Sequence, residues 1–523
     1  MQNIEIFDTT LRDGAQGEGV IFSHEDKIKV IRALDEFGVD YIEAGNPASN
    51  PKDRELLRYA SGHLHLKNAK LTAFGSTCRV GAIAAEDPGL NTLTECGVDT
   101  AAIFGKSSAF HVEKVLGTTK EENLRMIGDS VEYLVSRGMR VFFDAEHFFD
   151  GYKYDPEYAL ATIQKAAVSG ASVIVLCDTN GGSLPVEIEQ ITRRMVQSVP
   201  LPFAIHCHND AGLATACTLA GVAAGARQVQ GTVNGYGERC GNADLCQIIP
   251  NLVFKMGYGT SKAIAFEHLT QTARLISEIA NLSMDEHSPY VGHSAFSHKG
   301  GMHIDGVLKD SRSFEHISPE SVGNQRHFLV SEMAGRGALL TRVQSFAPDL
   351  QKGSEETKRI METLKELENI GYSFEGADGS LKLRVLGELG RRPSFFEVVD
   401  FNVFSRKPQS KLNAEAYVKV RVDGRVEITA NEGDGPVNAL DLALRKALSR
   451  FYPTLNKMHL KDFKVRVVNT AGTASTVRVQ IESTDGSSIW STVGVSSNII
   501  EASFIALTDS IEFMLIAERE KHV

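Results

Sequence analysis

Within seven residues, Asp8-Thr9-Thr10-Leu11-Arg12-Asp13-Gly14, the chain sets two carboxylates and a guanidinium directly after a short apolar run, Ile4, Ile6 and Phe7. Charge this dense at the end of a strand suits a catalytic mouth, because burying unpaired ions in a core is costly. Two later segments repeat the arrangement. His206-Cys207-His208-Asn209-Asp210 follows an apolar run, and so does the loop Gly235-Tyr236-Gly237-Glu238-Arg239-Cys240-Gly241-Asn242. Side chains two apart on a strand share a face, so His206 and His208 can bind one ion. Alone, this pair reads equally well as two satisfied polar histidines; Asp13 tips the reading toward a metal site. Two imidazoles and a carboxylate leave coordination positions open for substrate and water, a catalytic rather than a structural set. The donors suit divalent Mn, Zn, Co or Mg without choosing among them. Asn242 offers an amide to the ion or to its bound water, or else is a turn residue.

Arg12 has a permanent charge and a planar fork, which fits it to hold an oxyanion; the alternative is an ion pair with Asp8 or Glu146. Glu146, in Asp144-Ala145-Glu146-His147-Phe148-Phe149-Asp150-Gly151, is a candidate acid/base or the orienter of one. His147 points the other way on a continued strand and reads as structural. His303 and Asp305 lie two apart in the polar stretch Ser297 to Gly306. A histidine held by an aspartate is a candidate general base delivered over the mouth; the alternative is a solvated loop pair.

These residues need a scaffold that gathers strand ends. Strands are expected at Ile4–Asp8, Tyr41–Ala44, Leu71–Phe74, Ala101–Phe104, Arg140–Glu146, Val173–Asp178, Phe203–His208 and Gln228–Asn234. Their spacing of about 30 residues, with helical stretches between, predicts a (β/α)8 TIM barrel of α/β class over residues 1–260. The competing open sheet would carry a glycine-rich phosphate turn after its first strand, and none is present. Arg12, Asp13, Glu43, Glu146, Thr179, His206, His208 and Asn242 all fall at or just past strand C-termini, the face where barrel active sites form.

Residues 261–400 read as a mostly helical linker subdomain covering the site, with a charged amphipathic helix over Lys352–Ile370. Residues 401–523 contain an internal repeat and predict an α+β pseudo-twofold domain. Tyr417 onward and Glu427 onward give two strands before a helix at Asn438–Leu448; Val477 onward and Ile489–Val493 repeat this before a helix at Asn498–Met514. Gly433, Gly435 and Gly494 precede the helices, where N–H groups are placed to receive a small effector's carboxylate. A dimerisation clamp is the equal alternative.

The 523 residues exceed one core and predict several domains. A net charge of -11 argues against nucleic acid as partner. The seven scattered cysteines have no Cys-X-X-Cys pair and suggest neither disulfides nor a zinc cluster, as in a cytoplasmic protein. No signal peptide or membrane-spanning run is apparent.

Together the Asp8–Gly14 run with Gln16, the His206–Asp210 run and the Gly235–Asn242 loop resemble the DRE-TIM metallolyases, in the 2-isopropylmalate, homocitrate and citramalate synthase group. The resemblance spans the chain and includes the repeated C-terminal domain, which is similar to the group's leucine or isoleucine allosteric domain. Asp144–Lys153, Phe104-Gly105-Lys106-Ser107-Ser108 and Gly301–Asp305 resemble most the citramalate synthases, acyltransferases that condense acetyl-CoA with pyruvate. The resemblance implies Asp13, His206 and His208 as metal ligands with Asn242 beside them, and Arg12 at the oxyanion. It implies substrate contacts from Arg12, Gln16 and Thr179, the last to the 2-oxoacid carboxylate, and acid/base work by Glu146 and His303 with Asp305. It further implies isoleucine as effector and a homodimer. One departure is Phe314, where many relatives carry tyrosine. The rivals are the same chemistry on 2-oxoisovalerate or 2-oxoglutarate, a retro-aldol lyase or biotin-dependent carboxyltransferase, and an amino-acid sensor on an inactive barrel.

Overall fold

Eight parallel strands form at the expected places: β1 Asn3–Asp8, β2 Tyr41–Gly45, β3 Lys70–Ser76, β4 Thr100–Lys106, β5 Arg140–Glu146, β6 Val173–Asp178, β7 Phe203–Cys207 and β8 Gln228–Gly231. The computed structural model describes residues 2–328, 342–344, 346–351, 354–374, 376–405, 414–468, 475–486 and 488–521. Each strand is hydrogen-bonded to the next, and β1 pairs with both β2 (Phe7 beside Tyr41) and β8 (Phe7 beside Gln230), so the sheet closes into a barrel. Helices between strands start at clear signals. Pro51, Pro88, Pro156 and Pro185 each occupy the first turn, where a missing N–H costs nothing. Ser23 and Asp26 form a reciprocal capping box on His24–Phe37.

Strand alternation divides the core in two. Ile6, Ile42, Ile103, Val141, Ile174 and Ile205 face the helices in the large outer core. Phe7, Tyr41, Ala102, Phe142, Val175 and Ala204 fill the barrel interior. There Phe7, Tyr41 and Phe142 pack with ring centroids 5.0–5.7 Å apart and form an aromatic floor. Two residues further along the same strands, the interior turns polar: Glu43 above Tyr41, Asp144 above Phe142, His206 above Ala204. Parity alone therefore sets which polar residues line the mouth.

The closing seam is bolted by part of the first charged run. Asp8 accepts hydrogen bonds from Thr10 N (3.0 Å) and Thr10 Oγ1 (2.7 Å), Thr10 Oγ1 accepts from Val233 N (2.9 Å), and Thr9 Oγ1 donates to the Gly231 carbonyl (3.2 Å). The chain divides into two compact units, residues 1–296 with 315–326, which contain the barrel, and residues 297–314 with 327–523.

In the second unit the helices Glu355–Asn369 and Asp378–Glu388 share an apolar core with Phe374 and Val493. Lys352 and Gly353, at the expected helix start, lie outside the described residues. The repeat is present, with one strand more per copy than expected. β9 Glu397–Ser405, β10 Ala414–Val422 and β11 Arg425–Gly433 precede the helix Pro436–Leu448; β12 His459–Val467, β13 Val477–Thr484 and β14 Ile489–Ser496 precede the helix Ile499–Lys521. Both sheets are antiparallel, and their registers coincide after a shift of 63 residues: Ala414 opposes Gly433 and Val477 opposes Ser496. Thr429 Oγ1 donates to the Ala443 carbonyl and Thr492 Oγ1 to that of Ala506, both at 2.7 Å. A Cβ at Gly433 or Gly494 would collide with the backbone of Ala439 or Ala502, so both glycines serve close packing of helix on strand. Among the described residues, no helix is long and apolar enough to cross a membrane.

Thr10→Val keeps the volume and removes both side-chain bonds of the seam, leaving Val233 N and Asp8 short of a partner. Urea denaturation of the barrel should show a loss of about 1–3 kcal/mol; an unchanged midpoint would show that the seam is held by the sheet alone. Burial, opposed by Thr10, raises the Asp8 carboxyl from its ordinary value of 3.8 to about 7. A raised folded pKa means that the folded state retains the proton longer. The Asp8 contribution is therefore fully present below about pH 4 and lost as pH rises through about 7. Asp8→Asn should flatten the fall of stability across that window, read from denaturation midpoints at several pH values.

Candidate active site

Asp13, His206 and His208 converge at the top of the barrel. Asp13 Oδ2 lies 3.3 Å from His206 Nε2 and 3.8 Å from His208 Nε2, and the two Nε2 atoms are 3.5 Å apart. All three residues are buried, and together they form a group suited to hold one metal ion. A single ion with bonds of about 2.0–2.2 Å to such donors spans a triangle of about this size. Backbone pairing between His208 and Asn242 brings the Gly235–Asn242 loop alongside. The Asn242 amide donates to the Tyr236 carbonyl at 3.1 Å, while its buried Oδ1 has no hydrogen-bond partner among the described residues. An unpartnered amide oxygen beside a carboxylate and two imidazoles fits a divalent cation.

Arg12 sits against this cluster. Its Nε donates to Glu43 Oε2 at 2.5 Å, its Nη1 lies 3.1 Å from Asp13 Oδ2, and its guanidinium stacks 3.7 Å from the centre of the Phe74 ring. The expected alternative partners are not used: Asp8 is bound to Thr10, and Glu146 is paired with Lys106. Glu43 is the carboxylate that the sequence reading did not assign. Its signal was a charge inside the apolar run Tyr41-Ile42-Glu43-Ala44, in phase with Tyr41 and so directed inward. Burial works against the Asp13 carboxylate, yet Arg12 and the two imidazoles overcome it and hold its pKa far below the usual range. Burial, followed by the neighbouring His206, lowers His208 to about 4, while Asp13 overcomes burial to raise His206. One imidazole is thus held toward its protonated form and the other toward its neutral, metal-binding form.

β5 ends at Glu146, and His147 does not continue it. It takes the left-handed conformation (φ 58°, ψ 33°) that leads into the helix Phe148–Tyr154. Its backbone N–H donates to Thr179 Oγ1 at 2.9 Å, and the Thr179 carbonyl accepts from Arg239 Nη2 at 2.7 Å. Arg239 is itself clamped by Asp210 through bonds of 2.7 and 3.0 Å. Gln16, itself exposed, closes a single turn, its N–H donating to the Asp13 carbonyl at 3.0 Å.

His303 and Asp305 belong to the second unit and are not in a loop. Gly301–Lys309 is a helix, on which residues two apart point to different faces. Asp305 binds Lys309 Nζ at 2.6 Å, and His303 stacks on Phe314 with ring centroids 4.2 Å apart. The expected support of His303 by Asp305 is thus not formed. Phe314, the departure from the resembled group singled out in the sequence, is thus the side chain that packs on His303.

Comparison with known proteins identifies the family. The HMGL-like family profile matches residues 3–276, slightly more than half of the chain. The chain is 48% identical over 526 aligned positions to an (R)-citramalate synthase of Aquifex aeolicus, covering 100% of this chain and 99% of that one. The chain belongs to the HMGL-like family, in its (R)-citramalate synthase branch. A Geobacter sulfurreducens (R)-citramalate synthase is 46% identical with 99% of both chains covered, whereas a probable 2-isopropylmalate synthase of Methanopyrus kandleri, also covered at 99%, is 32% identical. The family's accessory domains are matched as well: Homocitrate synthase post-HMGL domain-like over 290–371 and LeuA allosteric (dimerisation) domain over 375–515. Enzymes of the HMGL-like family use a divalent metal.

Removing one donor should break the metal site. His208→Ala is expected to weaken Mn binding by more than about 100-fold, measured by isothermal titration calorimetry on metal-stripped protein. Wild-type affinity in that variant would place the ion elsewhere.

Proposed function

We propose that this chain condenses acetyl-CoA with pyruvate and hydrolyses the thioester, giving (R)-citramalate and CoA, as an acyltransferase of isoleucine biosynthesis in the cytoplasm. The observation that carries the reading is Arg12 beside the Asp13–His206–His208 cluster in a chain that matches citramalate synthases from end to end. The barrel over 1–260 would be catalytic, helical subdomains over 261–400 would cover the site, and 401–523 would bind isoleucine and form a homodimer.

Asp13, His206 and His208 would hold the divalent metal, with the Asn242 amide beside them. Bound there, the ion supplies Lewis acidity to the 2-oxoacid. Arg12, fixed by Glu43 and Phe74, presents a permanent charge to the ketone oxygen as it becomes an alkoxide. The Thr179 hydroxyl accepts from His147 N–H, so its own proton is free to be donated to the acid's carboxylate. Glu146 is inward-facing at the end of β5, and with His303 it would share proton transfer from the acetyl methyl group and to the alkoxide. The resulting enolate carbon attacks the ketone, and water then cleaves the acyl–sulfur bond, so that acetyl-CoA, pyruvate and water balance citramalate and CoA.

The test is CoA release from acetyl-CoA with pyruvate, 2-oxoisovalerate or 2-oxoglutarate, with and without Mn. Pyruvate should give the highest kcat/KM, and chelation should abolish turnover. No release with any acceptor sinks the reading, and a preference for 2-oxoisovalerate moves the chain to isopropylmalate synthesis. Isoleucine should inhibit in the same assay.

A further inference from the structure

Two histidines outside the metal cluster are stacked face to face. The rings of His111 and His147 lie 3.7 Å apart at an interplanar angle of 11°. Among the described residues each has a buried Nδ1 with no hydrogen-bond partner, so ring contact, not a bond at Nδ1, joins the pair.

Both backbones are unusual at this point. His147 has φ 58°, a conformation that residues with a Cβ rarely adopt. His111 ends a one-turn helix and opens directly into a π-helical turn, Val112–Leu116. Such turns interrupt regular helices mostly where function requires it.

The segments carrying the rings are fastened together. Ser107 N donates to the Glu146 carbonyl at 3.0 Å, and Gly151 N to that of His147 at 2.8 Å. A Cβ at Gly151 would strike the Ser107 carbonyl and come within 2.8 Å of Ser108 Cα. Only glycine lets the helix after β5 lie this close to the loop after β4.

What the strained residue delivers is its N–H, 2.9 Å from Thr179 Oγ1. A hydroxyl has one proton, and when it accepts from a fixed N–H the proton is directed away from that donor.

We propose that His111 and His147 are a positioning pair that holds the Thr179 hydroxyl as a donor toward the acceptor acid's carboxylate. The inference rests on the reading of Thr179 given above. The His111 ring acts as a flat lid that keeps residue 147 in its left-handed turn; its ring nitrogens take no part in proton transfer.

The test is steady-state kinetics of the full-length metal-loaded enzyme, varying pyruvate and acetyl-CoA separately. His111→Ala should raise the pyruvate KM by about five- to tenfold, with kcat and the acetyl-CoA KM within about twofold of wild type. His147→Gly, which accepts the turn but lacks the ring, should do the same. His111→Phe restores a flat partner and should return the pyruvate KM to within about twofold. In a Thr179→Ala background, already raised in pyruvate KM, His111→Ala should add nothing.

Multiplying effects in the double variant, or a His111→Phe enzyme as impaired as His111→Ala, overturn the inference alone. A Thr179→Ala enzyme with an unchanged pyruvate KM overturns the reading of Thr179 and the inference with it.

Discussion

A guanidinium cannot be taken out of water at a barrel mouth unless its charge is met, and the arrangement around Arg12 shows how far this requirement reaches. Glu43 and Asp13 contact it at 2.5 and 3.1 Å, and Phe74 covers its face. Both carboxylates are almost wholly buried, so screening by water is weak and the geometry is rigid. Two carboxylates against one guanidinium leave a net charge of -1. The Asp13 carboxylate overcomes burial and the opposing Arg12 charge to raise His206, and it makes a cation the natural occupant between itself and the two imidazoles. Replacing Arg12 would leave buried carboxylates unpaired, so its catalytic and structural roles are inseparable.

Much of this was legible because a barrel strand follows a rule with a period of two. Buried parallel strands read as apolar runs, and β1 to β8 stand out for that reason. The same parity that sends Tyr41 and Phe142 into the floor sends Glu43, Asp144 and Glu146 into the mouth, and it aligns His206 with His208. A polar residue in phase with the floor was therefore a site candidate before any contact was known. Which partner it took was not legible, since the sequence offers Asp8 and Glu146 to Arg12 and only the tertiary fold selects Glu43.

Other features escaped for identifiable reasons. β9 and β12 are exposed along much of both faces and so carry no clean alternation. The segment from Gly300 to Gly306 has the glycine content of a loop, yet packing of Ile304 and Val307 holds it as a helix, and the helical period then parts Asp305 from His303. The stack of His111 on His147 depends on a left-handed turn and a π-helical turn that no pattern of residue types announces. Gly433 and Gly494 were legible as special positions, and their environment adds a reason the sequence did not announce, the close packing of helix on strand.

The charges at the mouth also bear on which acid the site accepts. With a divalent ion among its donors, the Arg12 cluster would pass from -1 to +1, matched to a monoanionic 2-oxoacid. A dicarboxylate acceptor brings a second negative charge and needs a further cation to receive it. Among the described residues, three basic side chains near the strand ends are engaged: Lys106 with Glu146, Arg239 bidentate with Asp210, and Lys153 with Asp150 and Glu187. Freeing any of them would strand a carboxylate close to the incoming anion, so the second charge would meet repulsion where it needs attraction. These three pairs thus work against a second carboxylate, which a monoanionic acceptor such as pyruvate or 2-oxoisovalerate does not bring. The choice between those two falls to the apolar walls, where each methylene is worth about 1–3 kcal/mol.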